Sequence, residues 1–153
     1  MTAYDTQDQL QREQVYELAC NLDDMTPEDI GYAMERLLEA GALDVYTIPI
    51  GMKKNRPATM LCCLCPMGQE ERFAALLLRH TTTLGIRMQA MERRTLPRRT
   101  VTRQTAWGPV HYKTAGGREK PEYEDLARIA REQDLPIHQI RRSLEKTDGG
   151  ETL

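Results

Sequence analysis

From Thr59 to Cys65 the chain runs Thr-Met-Leu-Cys-Cys-Leu-Cys, with apolar side chains at odd and even positions alike. Successive strand residues point to opposite faces, so a run of this kind needs cover on both sides. It predicts a central strand, and the remaining elements have to assemble around it. Val15 to Leu22 and Asp44 to Ile50 alternate as strands do, and a fourth strand is expected from Ile86 to about Thr95.

Helices are expected in the gaps. After Asp23, Asp24 and Met25, Thr26 is placed to cap, Pro27 suits the first helical position, and Asp29 completes an acidic capping pattern. Ile30, Met34, Leu37 and Leu38 then fall on one stripe, and Gly41 closes the helix. A second helix spans Gln69 to Arg79 through Phe73, Leu76 and Leu77. The resulting order, β-α-β-β-α-β, predicts an α+β, ferredoxin-like sheet with two helices on one face.

Beyond Pro97, strands at Arg99–Thr105 and Val110–Thr114 form a hairpin around Trp107, Gly108 and Pro109, with Val101, Val110 and Tyr112 as buried candidates. Gly116 and Gly117 are expected to break the chain, Pro121 to open a helix to about Gln133, and Leu135-Pro136 to start a last one. The organisation expected is thus a flexible arm (1–14), a ferredoxin-like subdomain (15–96), a hairpin with C-terminal helices of the same domain (97–146) and a frayed tail (147–153).

A chain of 153 residues, 40% hydrophobic and 29% charged, has the composition of one globular domain. Its net charge of -2 and its 5% aromatic content argue against nucleic acid as a partner. No stretch approaches the ~20 apolar residues of a membrane span, and the polar run Met1–Gln14 is unlike a secretory signal. Cys20, Cys62, Cys63 and Cys65 read as reduced thiols of a cytoplasmic protein, since neighbours on a strand point apart and make a poor disulfide framework. Nucleotide-binding glycine loops and the Gly-x-Ser-x-Gly elbow are missing from the sequence.

Three clusters carry chemistry. Lys53, Lys54 and Arg56 crowd three cations into four residues between two strands, with Gly51 permitting an unusual backbone at the start of the turn and Pro57 stiffening its exit. A bound polyphosphate relieves their repulsion, whereas a solvated loop tip needs no ligand. Asp23 and Asp24 sit at a strand-to-helix junction. The helix dipole accounts for them structurally, and Mg²⁺, which takes one or two carboxylates plus phosphate oxygens, accounts for them functionally. Thr82 and Thr83, ahead of Gly85 and Arg87, suit phosphate or ribose contact, and equally suit an ordinary turn. Later, Glu122 and Asp125 share a helix face as further candidates for a metal or a proton, with Lys113 and Lys120 nearby.

The segments Asn21–Glu28, Gly41–Tyr46, Pro49–Pro57, Thr82–Arg87 and Pro121–Asp125 together resemble the C-terminal domain of the nickel-insertion proteins of nickel-pincer nucleotide biosynthesis (LarC). The resemblance covers roughly Val15 to Arg142. It implies a CTP-dependent nickel chelatase (cyclometallase, a lyase) that inserts nickel into a pyridinium-3,5-bisthiocarboxylate mononucleotide, the precursor of the lactate racemase cofactor. It further implies CTP as substrate, Mg²⁺ or Mn²⁺, a homo-oligomer, and an N-terminal half as partner. Carried over by position, Lys53, Lys54 and Arg56 hold the triphosphate with Arg87 assisting. Thr82 and Thr83 contact phosphate or ribose, Asp23 and Asp24 face the metal, and Glu122 and Asp125 are secondary metal candidates. No catalytic residue is assigned. The family's usual Arg-Pro-Gly reads Arg56-Pro57-Ala58, the linker Ala115–Lys120 looks short, and the expectation is a separate C-terminal subunit or excised domain. The alternative is a non-catalytic nucleotide-binding module for regulation or assembly.

Overall fold

The computed structural model describes residues 10–147; residues 1–9 of the expected arm and 148–153 of the expected tail lie outside them. The chain divides into two compact units, Arg12–Arg94 and the part from Thr95 onward.

The first unit holds β1 (Gln11–Leu22), α1 (Pro27–Glu39), β2 (Asp44–Met52), β3 (Arg56–Pro66), α2 (Glu70–His80) and β4 (Arg87–Thr95). The strand order is β2-β3-β1-β4, which is the ferredoxin-like arrangement. β3 is central, as its two-sided apolar run requires. It pairs antiparallel with β1, where Cys20 faces Leu61, and with β2, where Val45 faces Cys63. β1 begins at Gln11, so residues 11–14 of the expected arm belong to the sheet. The alternation rule misses them because Gln11, Arg12, Glu13 and Gln14 are all polar and show no period.

One sheet face is covered by both helices. Leu18, Cys20 and Leu22 of β1 and Leu61, Cys63 and Cys65 of β3 pack against Ile30, Ala33 and Leu37 of α1 and Phe73, Ala74 and Leu77 of α2. The ends of α1 follow local chemistry. The Thr26 hydroxyl accepts from the Asp29 amide at 3.2 Å, and Pro27 occupies the first turn. At the other end Gly41, at φ 95°, donates to the Leu38 carbonyl, and Ala42 donates to that of Leu37. These two bonds are a Schellman cap, and the left-handed residue is one that glycine fills without strain. Leu38 departs from the expected stripe: it is 51% exposed, and Ala33 is buried in its place.

The second unit has β5 (Arg98–Thr105), β6 (Gly108–Ala115) and β7 (Arg118–Pro121), in that order in the sheet, then α3 (Tyr123–Gln133) and α4 (Ile137–Thr147). Val110 and Tyr112 pack against Leu126, Ile129, Ile140 and Leu144. Two readings are corrected here. Gly116 and Gly117 do not break the chain, and Ala115–Lys120 is not a short linker. Both glycines have positive φ (55° and 74°) and join Ala115 to Arg118 in a two-residue hairpin, the geometry of a type I′ turn. Pro121 ends β7 rather than opening α3, because its partner Tyr112 keeps it in the ladder.

Leu37 and Leu38 are neighbours on opposite sides of the α1 stripe. Leu37→Ala should cost about 2–5 kcal/mol, a fall in thermal midpoint of roughly 4–20 °C for a chain of this size. Leu38→Ala should cost well under half of that, as measured by calorimetry.

Candidate functional site

Three loops meet at one end of the four-stranded sheet: the one after β1, the one joining β2 to β3, and the one leading into β4. The β2–β3 turn is a single 3₁₀ turn, Lys53–Asn55. Its unusual backbone does not sit at Gly51, which is an ordinary strand residue paired with Pro57. It sits at Lys54 and Asn55, with φ of 63° and 56°. A lysine in the left-handed region costs on the order of 1 kcal/mol or more, and such strain clusters at functional positions. Lys53, Lys54 and Arg56 are all exposed.

The acids of the β1–α1 loop reach the other two loops. An Arg56 guanidinium nitrogen lies 3.1 Å from Asp23 Oδ2, and the Thr82 hydroxyl bonds Asp24 Oδ1. Arg87 donates to the Asn21 side-chain oxygen at 3.0 Å and lies 3.2 Å from Met60 Sδ. Thus Arg56, Thr82 and Arg87 bond in turn to Asp23, Asp24 and Asn21, and these three pairs make up an end-of-sheet cluster. Thr83 stays outside it, its hydroxyl donating to the Gly85 carbonyl at 2.8 Å within its own turn. Lys53 and Lys54 form no ion pair among the described residues. The sequence assigns Asn21 no role; its signal is a polar residue set between the apolar Cys20 and Leu22 at the end of β1. Asp24 and Thr82 also border a cleft of about 370 Å³ that includes Tyr32, Arg79 and His80.

Glu122 and Asp125 belong to the second unit and already have cationic partners. Glu122 lies 2.8 Å from the Lys113 ammonium. Asp125 accepts from the His111 amide at 2.7 Å, meets its ring at 2.8 Å and faces Arg128 at 3.5 Å. Burial alone would raise the Asp125 carboxyl, but the bonds to His111 and the charges of His111 and Arg128 outweigh it and hold it below the usual range.

Among the described residues no group of three or more His, Cys, Asp or Glu side chains is gathered as a metal cage. The end-of-sheet donors are carboxylate, hydroxyl and amide oxygens. That set fits a hard divalent cation sharing its shell with phosphate and water, and does not fit a soft-metal thiolate site. All four cysteines are buried and unpaired, and burial pushes each thiol up, Cys63 to about 12.

The chain matches the family described as "Nickel insertion protein" over residues 1–141. It belongs to that family. A nickel insertion protein of Pelobacter propionicus is 48% identical over 127 residues, 80% of this chain and 32% of the relative. One from Cyanothece is 44% identical over 84% of this chain and 32% of its own length. The chain therefore spans about a third of these relatives. Among solved structures, the C-terminal domain of a cyclometallase involved in synthesis of the NPN cofactor of lactate racemase, LarC2 in its apo form, superposes with a TM-score of 0.83 at 37% identity, covering 90% of this chain and 99% of that one. A Methanopyrus kandleri protein with a TM-score of 0.61 and 24% identity, covering 87% and 86%, shares the fold. No described helix is long and apolar enough to cross a membrane.

The raised thiols generate a test. A group whose pKa is raised on folding favours the native state below its unfolded value, here 9.0, and that contribution is lost as pH climbs towards 12 for Cys63. A disulfide reagent at pH 8 should label none of the four thiols in the folded chain and all four in denaturant, and stability in urea should decline above pH 9.

Proposed function

We propose that this chain is the CTP- and divalent-cation-binding part of a cytoplasmic nickel chelatase, a lyase that inserts nickel into a pyridinium-3,5-bisthiocarboxylate mononucleotide to mature the lactate racemase cofactor. The observation that carries this reading is the end-of-sheet cluster: unpaired Lys53 and Lys54 on a strained turn, with Arg56, Asp23, Asp24, Thr82 and Arg87 bonded beside them. Family membership and the likeness to the cyclometallase domain support it.

In this reading Lys53, Lys54 and Arg56 hold the triphosphate and Arg87 assists. Thr82 and Thr83 reach phosphate or ribose oxygens. Asp23 and Asp24 hold Mg²⁺ or Mn²⁺, which neutralises phosphate charge when bound. The Arg56–Asp23 pair is then an exchange point, since the guanidinium turns to phosphate as the carboxylate turns to the cation. Both partners are near the surface, so breaking the pair costs about 1 kcal/mol or less. Glu122 and Asp125 are weaker metal candidates, because Lys113 and His111 already occupy them. Nickel is cargo, and the buried thiols of this chain are not its ligands in this scheme. The N-terminal part found in the longer relatives supplies the remaining machinery, and the working form is a homo-oligomer.

The same internal bonds favour a second reading. Asp23 and Asp24 each have a protein partner, as acids do in a loop built for structure, so a non-catalytic nucleotide-binding or assembly module also fits.

CTP with Mn²⁺ at a hundredfold its dissociation constant should stabilise the chain by ~2.7 kcal/mol. An unmoved thermal midpoint sinks the proposal. Binding without cleavage, even with the N-terminal partner and thiolated substrate supplied, selects the regulatory reading. Reversing both charges (Lys53→Glu with Lys54→Glu) should leave the fold intact and remove the CTP-dependent shift. Lys54→Gly separates strain from charge: its midpoint without ligand should not fall, while its CTP-dependent shift should shrink.

A further inference from the structure

In the second unit a carboxylate grips His111 by one ring nitrogen and leaves the other free. His111 lies on β6 between Val110 and Tyr112, whose side chains enter the helical core, so it belongs to the opposite face of the three-stranded sheet. β7 ends at Pro121, the Glu122 amide donates to the His111 carbonyl at 2.8 Å, and the chain turns into α3. Asp125, in the first turn of α3, then takes up the edge of β6 that β7 no longer covers. Its Oδ2 accepts from the His111 amide at 2.7 Å and meets ring Nδ1 at 2.8 Å. The Asp125 side chain is 14% exposed and that of His111 52%. A carboxylate is ionised at neutral pH and only accepts, so Nδ1 carries the ring proton and Nε2 keeps its lone pair. No bond to Nε2 is present among the described residues.

An imidazole oriented in this way is a nucleophile in its own right. Neighbouring side chains select what it attacks. Thr102 lies directly opposite His111 across the β5–β6 ladder, and Lys113, two residues on, shares its face. Lys120 lies opposite Lys113, and Arg98 and Arg118 flank Ala115 further along. Like charges facing each other across a ladder oppose strand pairing, so this face gains from an added anion. Lys113 pairs with Glu122, but Arg98, Arg118 and Lys120 have no ion pair among the described residues. Such surroundings favour a phosphoryl group, which brings charge and acceptor oxygens, over a neutral acyl group.

We propose that His111 is a phosphoryl-acceptor residue, whose Nε2 takes a phosphoryl group from a small phosphoramidate or acyl phosphate donor. Lys113 and Thr102 hold the phosphoryl oxygens, and Asp125 is the positioning residue. The Nε2 lone pair forms the N–P bond as the bond from phosphorus to the leaving group breaks. The broken bond's electron pair departs with that group, as ammonia from zwitterionic phosphoramidate or as carboxylate from an acyl phosphate. The proton on Nδ1 stays in place, so the ring becomes cationic, and the Asp125 carboxylate offsets that charge as in a Ser-His-Asp triad. A phosphoryl group adds roughly -1.5 to -2 charge, enough to neutralise much of this face and change what it attracts.

Incubating the intact chain with phosphoramidate and following each histidine by peptide mass spectrometry tests this. His138, exposed and without an ion pair among the described residues, is the internal control. His111 should be phosphorylated at least about tenfold faster than His138, a barrier difference of ~1.4 kcal/mol. Phosphorus–nitrogen coupling in NMR spectra should place the group on Nε2. His111→Gln should lose that product and keep labelling at His138. Asp125→Asn and Lys113→Gln should each slow His111 about tenfold and leave the His138 rate unchanged. NMR of the ring nitrogens should show the Nδ1–H tautomer in the native chain and a mixture in Asp125→Asn, a change that a merely stabilising carboxylate would not produce. The Lys53→Glu, Lys54→Glu double variant should be phosphorylated normally at His111, so this result and the CTP-dependent shift are read separately. Labelling of His111 no faster than His138, attachment at Nδ1, or a rate indifferent to both Asp125 and Lys113 would each overturn the proposal.

Discussion

The pairing of β1 with β3 is the constraint on which the first unit depends. Along eight residue pairs, from Val15–Pro66 to Leu22–Thr59, it sets which side chains face the helices. A slip of one residue would turn Leu61, Cys63 and Cys65 away from α1 and α2, so the apolar helix faces hold the register in place. Register in turn decides function at the sheet end. It brings the loop that follows Leu22 level with the turn that precedes Arg56, which is why Asp23 and Arg56, 33 residues apart, lie within 3.1 Å.

Above that frame the molecule keeps charge at its margins. Among the described residues no polar or charged residue is fully buried, and the core is built from Leu, Ile, Ala, Val, Phe and Cys, with Tyr112. The cationic turn and the acidic loop therefore stay in contact with water, where pairing contributes little to stability and exchange of partners is easy. That property suits ligand capture better than it suits structural reinforcement. The strain at Lys54 points the same way, because a plain hairpin tip would place glycine there.

Much of the fold was legible along the chain. The two-sided run at Thr59–Cys65 marked the central strand, and the caps of α1 were readable from Thr26, Pro27 and Gly41. Element order then gave the ferredoxin-like sheet. Less legible were features whose signal is not periodic. The polar start of β1 pairs despite its composition, and β7 is four residues long, Arg118–Pro121, too short for alternation to stand out. Gly116-Gly117 carried hairpin information, but its meaning depended on a partner strand hidden in a charged stretch.

The candidate site divides along the same line. By itself the sequence determined which groups are present: three cations in one turn, two adjacent acids before a helix, and a threonine pair before Arg87. Charge density and residue chemistry are local, so they survive without a structure. Tertiary structure alone decided partnership. It joined Asp23 to Arg56, Asp24 to Thr82 and Asn21 to Arg87, and it tied Glu122 and Asp125 to Lys113 and His111. It also moved the strained backbone from Gly51 to Lys54 and Asn55 and gathered Arg98, Lys113, Arg118 and Lys120 on one face. The reason is physical: these arrangements are fixed by strand register and turn closure, and both are set by contacts between residues far apart in the chain.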